Sequence, residues 1–526
     1  GLELISSFLG CLSVGAIATL VPPPRRHESL ARWQHIMADA NVAGVLTTQA
    51  LLNDIKPLIE PRTADAIYWV ATDAINHSDR PSGDGSDDRE FWLELPTADK
   101  IAFLQYTSGS TSQPKGVIVT HANIAHNLQQ IQTAFGHSEK TQCVIWLPPY
   151  HDMGLIGGIL QPLYGGYPVT LMSPTSFLRS PYRWLEAISH FSDKTGGGTT
   201  SGGPNFAYDY CVQKISSQQC QSLDLSDWSV AFTGAEPIRA ETLTRFSEKF
   251  ATCGFQQRAF YPCYGLAEST LFVTGKDVTT APKAITVGKN ALSQGEIQAV
   301  APQDSQDSRQ LVSCGQAMDQ QISIVNPQTN LPCMPNHIGE IWVSGKSVAA
   351  GYWNQVKSTQ ETFDQVLGTH AEKFLKTGDL GFLRSGELFV TGRLKDLIVI
   401  RGQNYYPQDV ELSVSQAHTG LQTAAAFSLS ADETQSQQEQ LVVVQELSRS
   451  AVREIRKKTL NVSAVVEAIQ ACVSQQHGLQ VWAIALLKPG HLPKTTSGKV
   501  QRQACKQQWQ SGTLETVGQW QQHTPP

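Results

Sequence analysis

The sequence predicts a mixed α/β protein: a large N-terminal domain of layered α/β sheets followed by a small α+β C-terminal domain. Three observations predict it. The chain has 526 residues, enough for a large core and more than one domain. Up to about Gly392, short β-rich apolar runs alternate with amphipathic stretches, the pattern of stacked α and β layers. After Gly392 the elements become shorter-ranged and Gln becomes frequent.

Taken in order, the first element is the apolar run Leu4–Val21. Ser6, Ser7, Ser13 and Thr19 interrupt it, no basic residue precedes it, and Pro22-Pro23-Pro24 ends it. Those features disfavour a signal peptide or a transmembrane helix. A buried helix is expected, in a domain whose start lies upstream of Gly1. Strands are expected at Ile101–Tyr106, Val117–Thr120, Cys143–Leu147, Val230–Thr233 and Glu340–Ser344. His77–Arg89 and Lys276–Arg309 read as loops or insertions, being polar with little periodicity. The large domain is placed at 1–393 and the small one at 394–526. The small domain should carry strands at Asp396–Ile400, Gln440–Gln445 and Val481–Leu487, a helix at Ser463–Gln475, and a linker tail at Gln521–Pro526.

Composition narrows the function. Hydrophobic residues make up 40% and charged residues 16%, which excludes a disordered chain. The net charge of -6 argues against nucleic acid as the main partner, because phosphate backbones need a basic surface. The small domain, with twelve Lys or Arg against ten Asp or Glu, is the more basic part. Ten cysteines without a CxxC pair indicate free thiols in a reducing cytoplasm, not a zinc site or disulfide framework.

The most informative segment is Thr107-Ser108-Gly109-Ser110-Thr111-Ser112-Gln113-Pro114-Lys115-Gly116, set between two β-like runs. Its hydroxyls and exposed N–H groups suit a polyphosphate, and Lys115 adds positive charge. It is not a Walker loop, since its Lys precedes the Gly and a strand follows. Gly345-Lys346-Ser347 also fails, because the residue five before Gly345 is Glu340.

From this loop onward the chain resembles the adenylate-forming superfamily of acyl-CoA synthetases, luciferases and adenylation domains. The motifs that carry the resemblance follow in order: Thr233-Gly234-Ala235-Glu236-Pro237, Tyr264-Gly265-Leu266-Ala267-Glu268, Thr377-Gly378-Asp379, Gly392-Arg393-Leu394-Lys395-Asp396 and Pro493-Lys494-Thr495-Thr496-Ser497-Gly498-Lys499. Within it, Leu147–Leu155, Ser201–Tyr208 and Asn404–Asp409 look like the fatty acyl-AMP ligases. The interval from Glu268 to Gly315 leaves room for the insertion of that subfamily. The resemblance associates the insertion with poor use of coenzyme A and transfer to a carrier protein.

The resemblance implies roles that the chemistry of each side chain supports. Asp379 would accept the ribose hydroxyls, and Arg393 would add a ribose or phosphate contact through its planar donor fork. Thr107, Ser108, Gly109, Ser110, Thr111 and Lys115 would hold the phosphates. Gly234, Ala235, Glu236, Tyr264, Gly265, Leu266 and Ala267 would border the adenine, Tyr264 by stacking. Glu268 would hold Mg²⁺, which prefers oxygen ligands. His151 would lie where the acid's carboxylate meets the α-phosphate, with Asp152, Gly203 and Tyr208 nearby in the substrate region. Lys499 would be the main catalytic residue, a cation bridging two anions that must approach each other. The resemblance also implies that the small domain is mobile and that Lys395 occupies its hinge position, where the superfamily often has Asp. The run Gly196-Gly197-Gly198 after Thr195 departs from the pattern and reads as a loose loop or an alteration.

The expected activity is that of an ATP- and Mg²⁺-dependent ligase converting a fatty acid to acyl-AMP and then to a thioester on an acyl carrier protein, as in polyketide or lipopeptide assembly. Three rivals remain at this stage: an acyl-CoA synthetase, a non-catalytic acyl- or nucleotide-binding module, and a luciferase-like oxygenase. Lys115, Glu268, Asp379 and Lys499 together disfavour the non-catalytic module.

Overall fold

The computed structural model describes residues 1–24, 27–75, 96–107, 114–191, 196–301, 307–368, 372–430, 433, 439–495 and 498–522. It is mixed α/β, with a large N-terminal and a smaller C-terminal domain. Ser108–Gln113 and His77–Arg89 lie outside the described residues, as do Thr195, Thr496 and Ser497.

The chain opens on a helix, Leu2–Ser13, of which only Phe8 is fully buried, edge-on to Phe103 at 5.7 Å. The expected buried helix is therefore shorter and half-exposed, with Leu2 and Leu9 facing solvent. The end of the same apolar run becomes strand β1 (Ala18–Thr19), which joins β2 (Ile101–Tyr106) and β3 (Gly116–Thr120) in a small sheet. Helix α1 (His121–Phe135) follows β3 directly. Thr120 and Asn123 form a reciprocal capping box at its start, and Gly136 ends it at φ 66°. Ile124, Leu128 and Ile131 put its apolar stripe into the core. The amide of buried Asn127 exchanges both hydrogen bonds with the Phe272 backbone, at 2.9 and 3.0 Å.

The central sheet has seven strands. β4 (Gln142–Ile145), β5 (Val169–Leu171), β6 (Thr199–Gly202), β7 (Trp228–Thr233) and β8 (Phe260–Gly265) run parallel. Every residue of β4 and of β6 is buried, as for strands covered on both faces. Between β4 and β5 runs a π-helix, Met153–Leu160. Helix α2 (Asn205–Lys214) leaves β6. β9 (Phe272–Gly275) adds antiparallel to β8. The Gly196–Gly198 run, read as a loose loop or an alteration, is a fitted lead-in to β6. Gly198 accepts the Gln142 N–H at 3.0 Å, and a Cβ on Gly197 would meet the Lys140 carbonyl carbon at 2.3 Å.

Lys276–Arg309 is not a simple loop. β10 (Ala284–Gly288) pairs antiparallel with β11 (Ser308–Val312), and a short helix, Lys289–Ser293, follows β10. Val287, Leu292, Ile297 and Leu311 pack with Phe382, Phe389 and Tyr406. The segment has few apolar residues of its own, so its periodicity is weak; its partners come from elsewhere in the chain. β12 (Gln316–Ala317) then closes the central sheet against β9. A second, antiparallel sheet is built from β13 (Gln321–Val325), β14 (Gly339–Ser344), β15 (Gln365–Val366), β16 (Lys373–Arg384) and β17 (Glu387–Arg393).

After Arg393 the chain enters a short 3-10 turn, Leu394–Asp396, then a strand pair, Ile398–Ile400 with Gln403–Tyr405. Helix α3 (Pro407–Gln416) precedes β18 (Leu421–Leu429), β19 (Gln440–Leu447), helix α4 (Val462–His477), β20 (Val481–Leu487), helix α5 (Arg502–Gln510) and β21 (Thr516–Gln521). The four strands form one sheet. α3 and α4 cover one face through Val410, Val414, Val465 and Ile469; Cys505 of α5 lies on the other. Gln521, expected in a linker, pairs with Ala483 across β20 and β21. All ten cysteines are free. Among the described residues, no helix is long and apolar enough to cross a membrane.

Candidate active site

The two domains enclose one deep cleft at the carboxyl ends of the parallel strands, where open α/β sheets present their loops. The small domain sends Lys499 into it. The lysine sits in a tight hairpin: Thr495 N–H donates to Lys499 O at 2.7 Å, and Lys499 N–H to Thr495 Oγ1 at 3.1 Å. Gly498, at φ 85°, rests on the large domain, and a Cβ there would stand 3.3 Å from Phe206. Arg502 fastens the base of the hairpin. It grips Glu411 of α3 bidentately, at 2.7 and 2.8 Å, and Asp396 at 3.0 Å. Burial pushes the Lys499 ammonium below its ordinary pKa, against the pull of Asp152, Glu236 and Asp379.

Opposite Lys499, His151 Nδ1 contacts Asp152 Oδ1, at the N-terminus of the π-helix. Burial raises the Asp152 carboxyl, but His151, Lys499 and the Met153 N–H together hold it below its usual value. Asp152 also accepts the Met153 N–H at 2.7 Å.

Asp379 lies within β16, in register with Arg393 of β17. Arg393 Nε donates to Asp379 Oδ1 at 2.9 Å and the Tyr264 hydroxyl to Asp379 Oδ2 at 2.9 Å. The neighbouring Asp379 raises the Arg393 guanidinium above its ordinary pKa, and burial raises the Tyr264 phenol. The turn before Asp379 is held by Glu340, which accepts the Gly378 N–H at 3.1 Å and the Trp342 indole N–H at 2.9 Å.

Lys115 stands 4.6 Å from the Tyr352 ring centre, and the Tyr352 hydroxyl donates to Glu268 Oε1 at 3.0 Å. Burial lifts the Glu268 carboxyl. Among the described residues, no three His, Cys, Asp or Glu converge as a metal cage. The Glu268 carboxylate, with Lys115 on the far side of Tyr352, instead fits Mg²⁺, which commonly takes one or two carboxylates plus phosphate oxygens. Gly234 follows β7 where a Cβ would meet the Cys263 carbonyl oxygen at 2.7 Å, and Ala235 takes the left-handed conformation at φ 69°. A non-Gly residue at positive φ on a cleft wall is a local strain.

The structure brings together in this cleft Thr107, Lys115, His151, Asp152, Gly234, Ala235, Glu236, Tyr264, Gly265, Leu266, Ala267, Glu268, Asp379, Arg393, Lys395 and Lys499. Glu236 has a second task, capping α2 by accepting the Asn205 N–H at 2.9 Å. Two expected substrate residues lie elsewhere. Tyr208 is fully buried under Trp184, Trp228, Phe246 and Phe260, and its hydroxyl is spent on the Phe232 carbonyl at 2.8 Å. Gly203 is buried against Trp146. Lys395 is exposed within the 3-10 turn. Ser108, Gly109, Ser110 and Thr111 lie outside the described residues. Sequence reasoning missed Glu340, Tyr352 and the anchoring role of Arg502. Only Arg502 left a signal, three residues after Lys499. A Ser347–His126–Asp319 chain, at 2.8 and 3.0 Å, has the order of a hydrolase triad. Its serine is fully buried and donates to Gln130 at 3.0 Å, so it braces the scaffold.

The chain is similar to known proteins along most of its length. The family model described as AMP-binding enzyme matches residues 1–353, and one described as Disco-interacting protein 2-like, AMP domain, matches residues 395–519. The medium-chain-fatty-acid–[acyl-carrier-protein] ligase JamA of Moorena producens is 40% identical over 99% of this chain and 86% of its own. A fatty acyl-adenylate ligase of Legionella pneumophila, solved with acyl adenylate and pyrophosphate, is 39% identical over 99% of this chain and 86% of its own, with a TM-score of 0.69. A chain from a study of fatty acyl-adenylate ligases of E. coli and L. pneumophila is 32% identical over 97% and 86%, with a TM-score of 0.83. On these matches the chain belongs to the AMP-binding enzyme family.

Proposed function

We propose that this enzyme activates a fatty acid with MgATP to acyl-AMP and pyrophosphate, then passes the acyl group to the phosphopantetheine thiol of an acyl carrier protein. One observation carries the reading: Lys499 of the small domain reaches the cleft between the His151–Asp152 pair and the Asp379–Arg393 pair. A cation there relieves the repulsion between a carboxylate nucleophile and the α-phosphate and stabilises the charge of the transition state. The carboxylate oxygen attacks the α-phosphorus, the bond to the bridging oxygen breaks, and pyrophosphate leaves. Asp379 accepts the ribose hydroxyls, Lys115 contacts the phosphates, and Gly234 and Ala235 leave room for the adenine. Glu268 would hold Mg²⁺, which would neutralise phosphate charge. In the second step the thiol sulfur attacks the acyl carbonyl carbon, AMP leaves with the electron pair of the acyl–oxygen bond, and the thiol proton passes to solvent.

The names of two similar proteins, JamA at 40% and TtuA at 42% identity, support the carrier protein as acceptor, whereas relatives at 36% identity are named putative fatty-acid–CoA ligases. Shape and sequence rank the solved neighbours oppositely: 39% identity goes with a TM-score of 0.69, and 32% with 0.83. Two rigid domains meeting at different angles produce such a pattern, which supports a small domain that turns about Lys395. The test is to incubate the protein with ATP, a panel of fatty acids, and either coenzyme A or a holo carrier protein, and to identify products by mass. Acyl-AMP with acyl-carrier product supports the reading; efficient acyl-CoA formation makes the protein an acyl-CoA synthetase instead.

A further inference from the structure

The cleft has an arm that the adenylation chemistry does not use. Its apolar lining is Met153, Gly157, Phe135, Phe232, Leu271 and Phe272, from the π-helix, the end of α1 and strands β7 and β9 with the turn before β9; the Phe135 ring meets those of Phe232, Phe272 and His137. His137 and Thr200 also line it, a polar pair in otherwise apolar surroundings. The sheet register places them deep. Thr200 is the second residue of β6 and pairs with Val230, four residues before Gly234 at the adenylate end of the cleft.

The polar pair is closed on itself. One ring nitrogen of His137 meets Thr200 Oγ1 at 3.0 Å, and the other meets the hydroxyl of buried Tyr167 at 2.9 Å. Burial holds the ring neutral, with its pKa pushed down to about 3. Both nitrogens have partners and no charge remains, so the group presents an inert wall and not a binding site for a second polar ligand.

We propose that His137, backed by Tyr167 and Thr200, is the floor that limits acyl-chain length, admitting straight-chain acids of medium length and refusing longer ones; this rests on the fatty-acid reading above. Four residues along a strand cover about 13 Å. An extended chain advances about 1.2 Å per backbone bond, so that depth holds roughly eleven bonds. The opposite wall is equally tight: a Cβ on Gly157 would lie 3.4 Å from Leu271 Cδ2, room for a methyl and no more.

The test measures kcat/KM for acyl-AMP formation with straight-chain acids from hexanoic to octadecanoic, using the full chain and three variants. The parent should lose activity steeply beyond about a dodecanoyl chain. His137→Ala should raise the hexadecanoic-to-decanoic ratio by about tenfold or more, the discrimination one or two methylenes carry in an apolar pocket. His137→Phe, which keeps the volume without the hydrogen bonds, should leave that ratio unchanged. Gly157→Ala, whose methyl just fits, should shift the preference to shorter acids. A folded His137→Ala protein with the parent's profile overturns the floor, because a purely structural role would change all lengths alike. If His137→Ala does not fold, Gly157→Ala decides: a shortened profile supports the channel and an unchanged one overturns it. A parent that adenylates all lengths equally also overturns the floor, whereas a parent that adenylates no fatty acid overturns the functional reading instead.

Discussion

At the residue scale, the site depends on charges taken partly out of water and set against one another. Lys499 is held by a backbone hairpin and by the Arg502 clamp, so its position is established before substrate arrives. Lys499→Ala should lower the adenylation rate by about 10²–10³, the usual cost of losing a preorganised transition-state contact, while ATP binding changes little. Pyrophosphate release and ATP titration separate the two; undiminished adenylation would remove Lys499 from the chemistry. Asp379→Ala leaves the Tyr264 hydroxyl and Arg393 without this partner and removes the proposed ribose acceptor. ATP should bind about ten- to a hundredfold more weakly, from a lost charged hydrogen bond of ~1.5–3 kcal/mol, with the order of preferred acids unchanged. A changed chain-length preference at normal ATP affinity would place Asp379 in the acyl channel instead.

At the element scale, the Lys276–Arg309 segment connects the domains. Arg309 pairs with Asp409 of α3 at 3.0 Å and lies 4.9 Å from the centre of the Tyr406 ring. Its strand partner β10 contributes Val287 to the cluster that also contains Tyr406. A restraint of this kind shifts the populations of domain positions, and its removal shifts them back. Deleting the whole segment would expose Phe382 and Phe389, so a point change is the cleaner probe. Arg309→Ala should raise acyl-CoA formation severalfold at unchanged adenylation, as about 1 kcal/mol of restraint is lost. Coenzyme A turnover with adenylation as the control checks this; an Arg309→Ala protein that adenylates normally and still ignores coenzyme A shows that this contact is not the gate.

At the scale of the whole molecule, each domain holds a histidine that burial keeps neutral. His137 in the large domain is pushed down to about 3, and His477 in the small domain to about 4, where it meets Ser413 Oγ at 2.9 Å. In the unfolded chain both would take a proton near pH 6.5, so the unfolded state binds more protons below that pH. Stability should therefore fall as pH drops from about 6.5, by ~1.4 kcal/mol per pH unit for each histidine, until the folded values are reached. Between pH 6.5 and 5 the parent should lose about 2 kcal/mol more than His137→Phe, read by urea denaturation at the two pH values. An identical pH dependence in the two proteins would mean that His137 is accessible to protons in the folded state.

Local order was enough to read the fold class, the strands around the cleft and most of the charged residues that line it, because each rests on alternating layers or on a motif whose residues stand side by side. Ile101–Tyr106 became β2 and Val481–Leu487 became β20 as read. Tertiary structure alone decided the rest. Tyr208 sits in a motif that resembles a substrate site, yet its ring faces a cage of aromatics supplied by three other elements, a choice made by packing and not by neighbours in sequence. Glu340 and Tyr352 reach the cleft from strands and turns whose local pattern signals only a β region. The polar Lys276–Arg309 segment finds its apolar partners at Phe382, Phe389 and Tyr406, each more than seventy residues further along the chain. The proposed floor at His137 depends on the chain just after α1, the turn before β5 and strand β6 converging there, since a buried polar group is defined by the partners that satisfy it, and those are long-range.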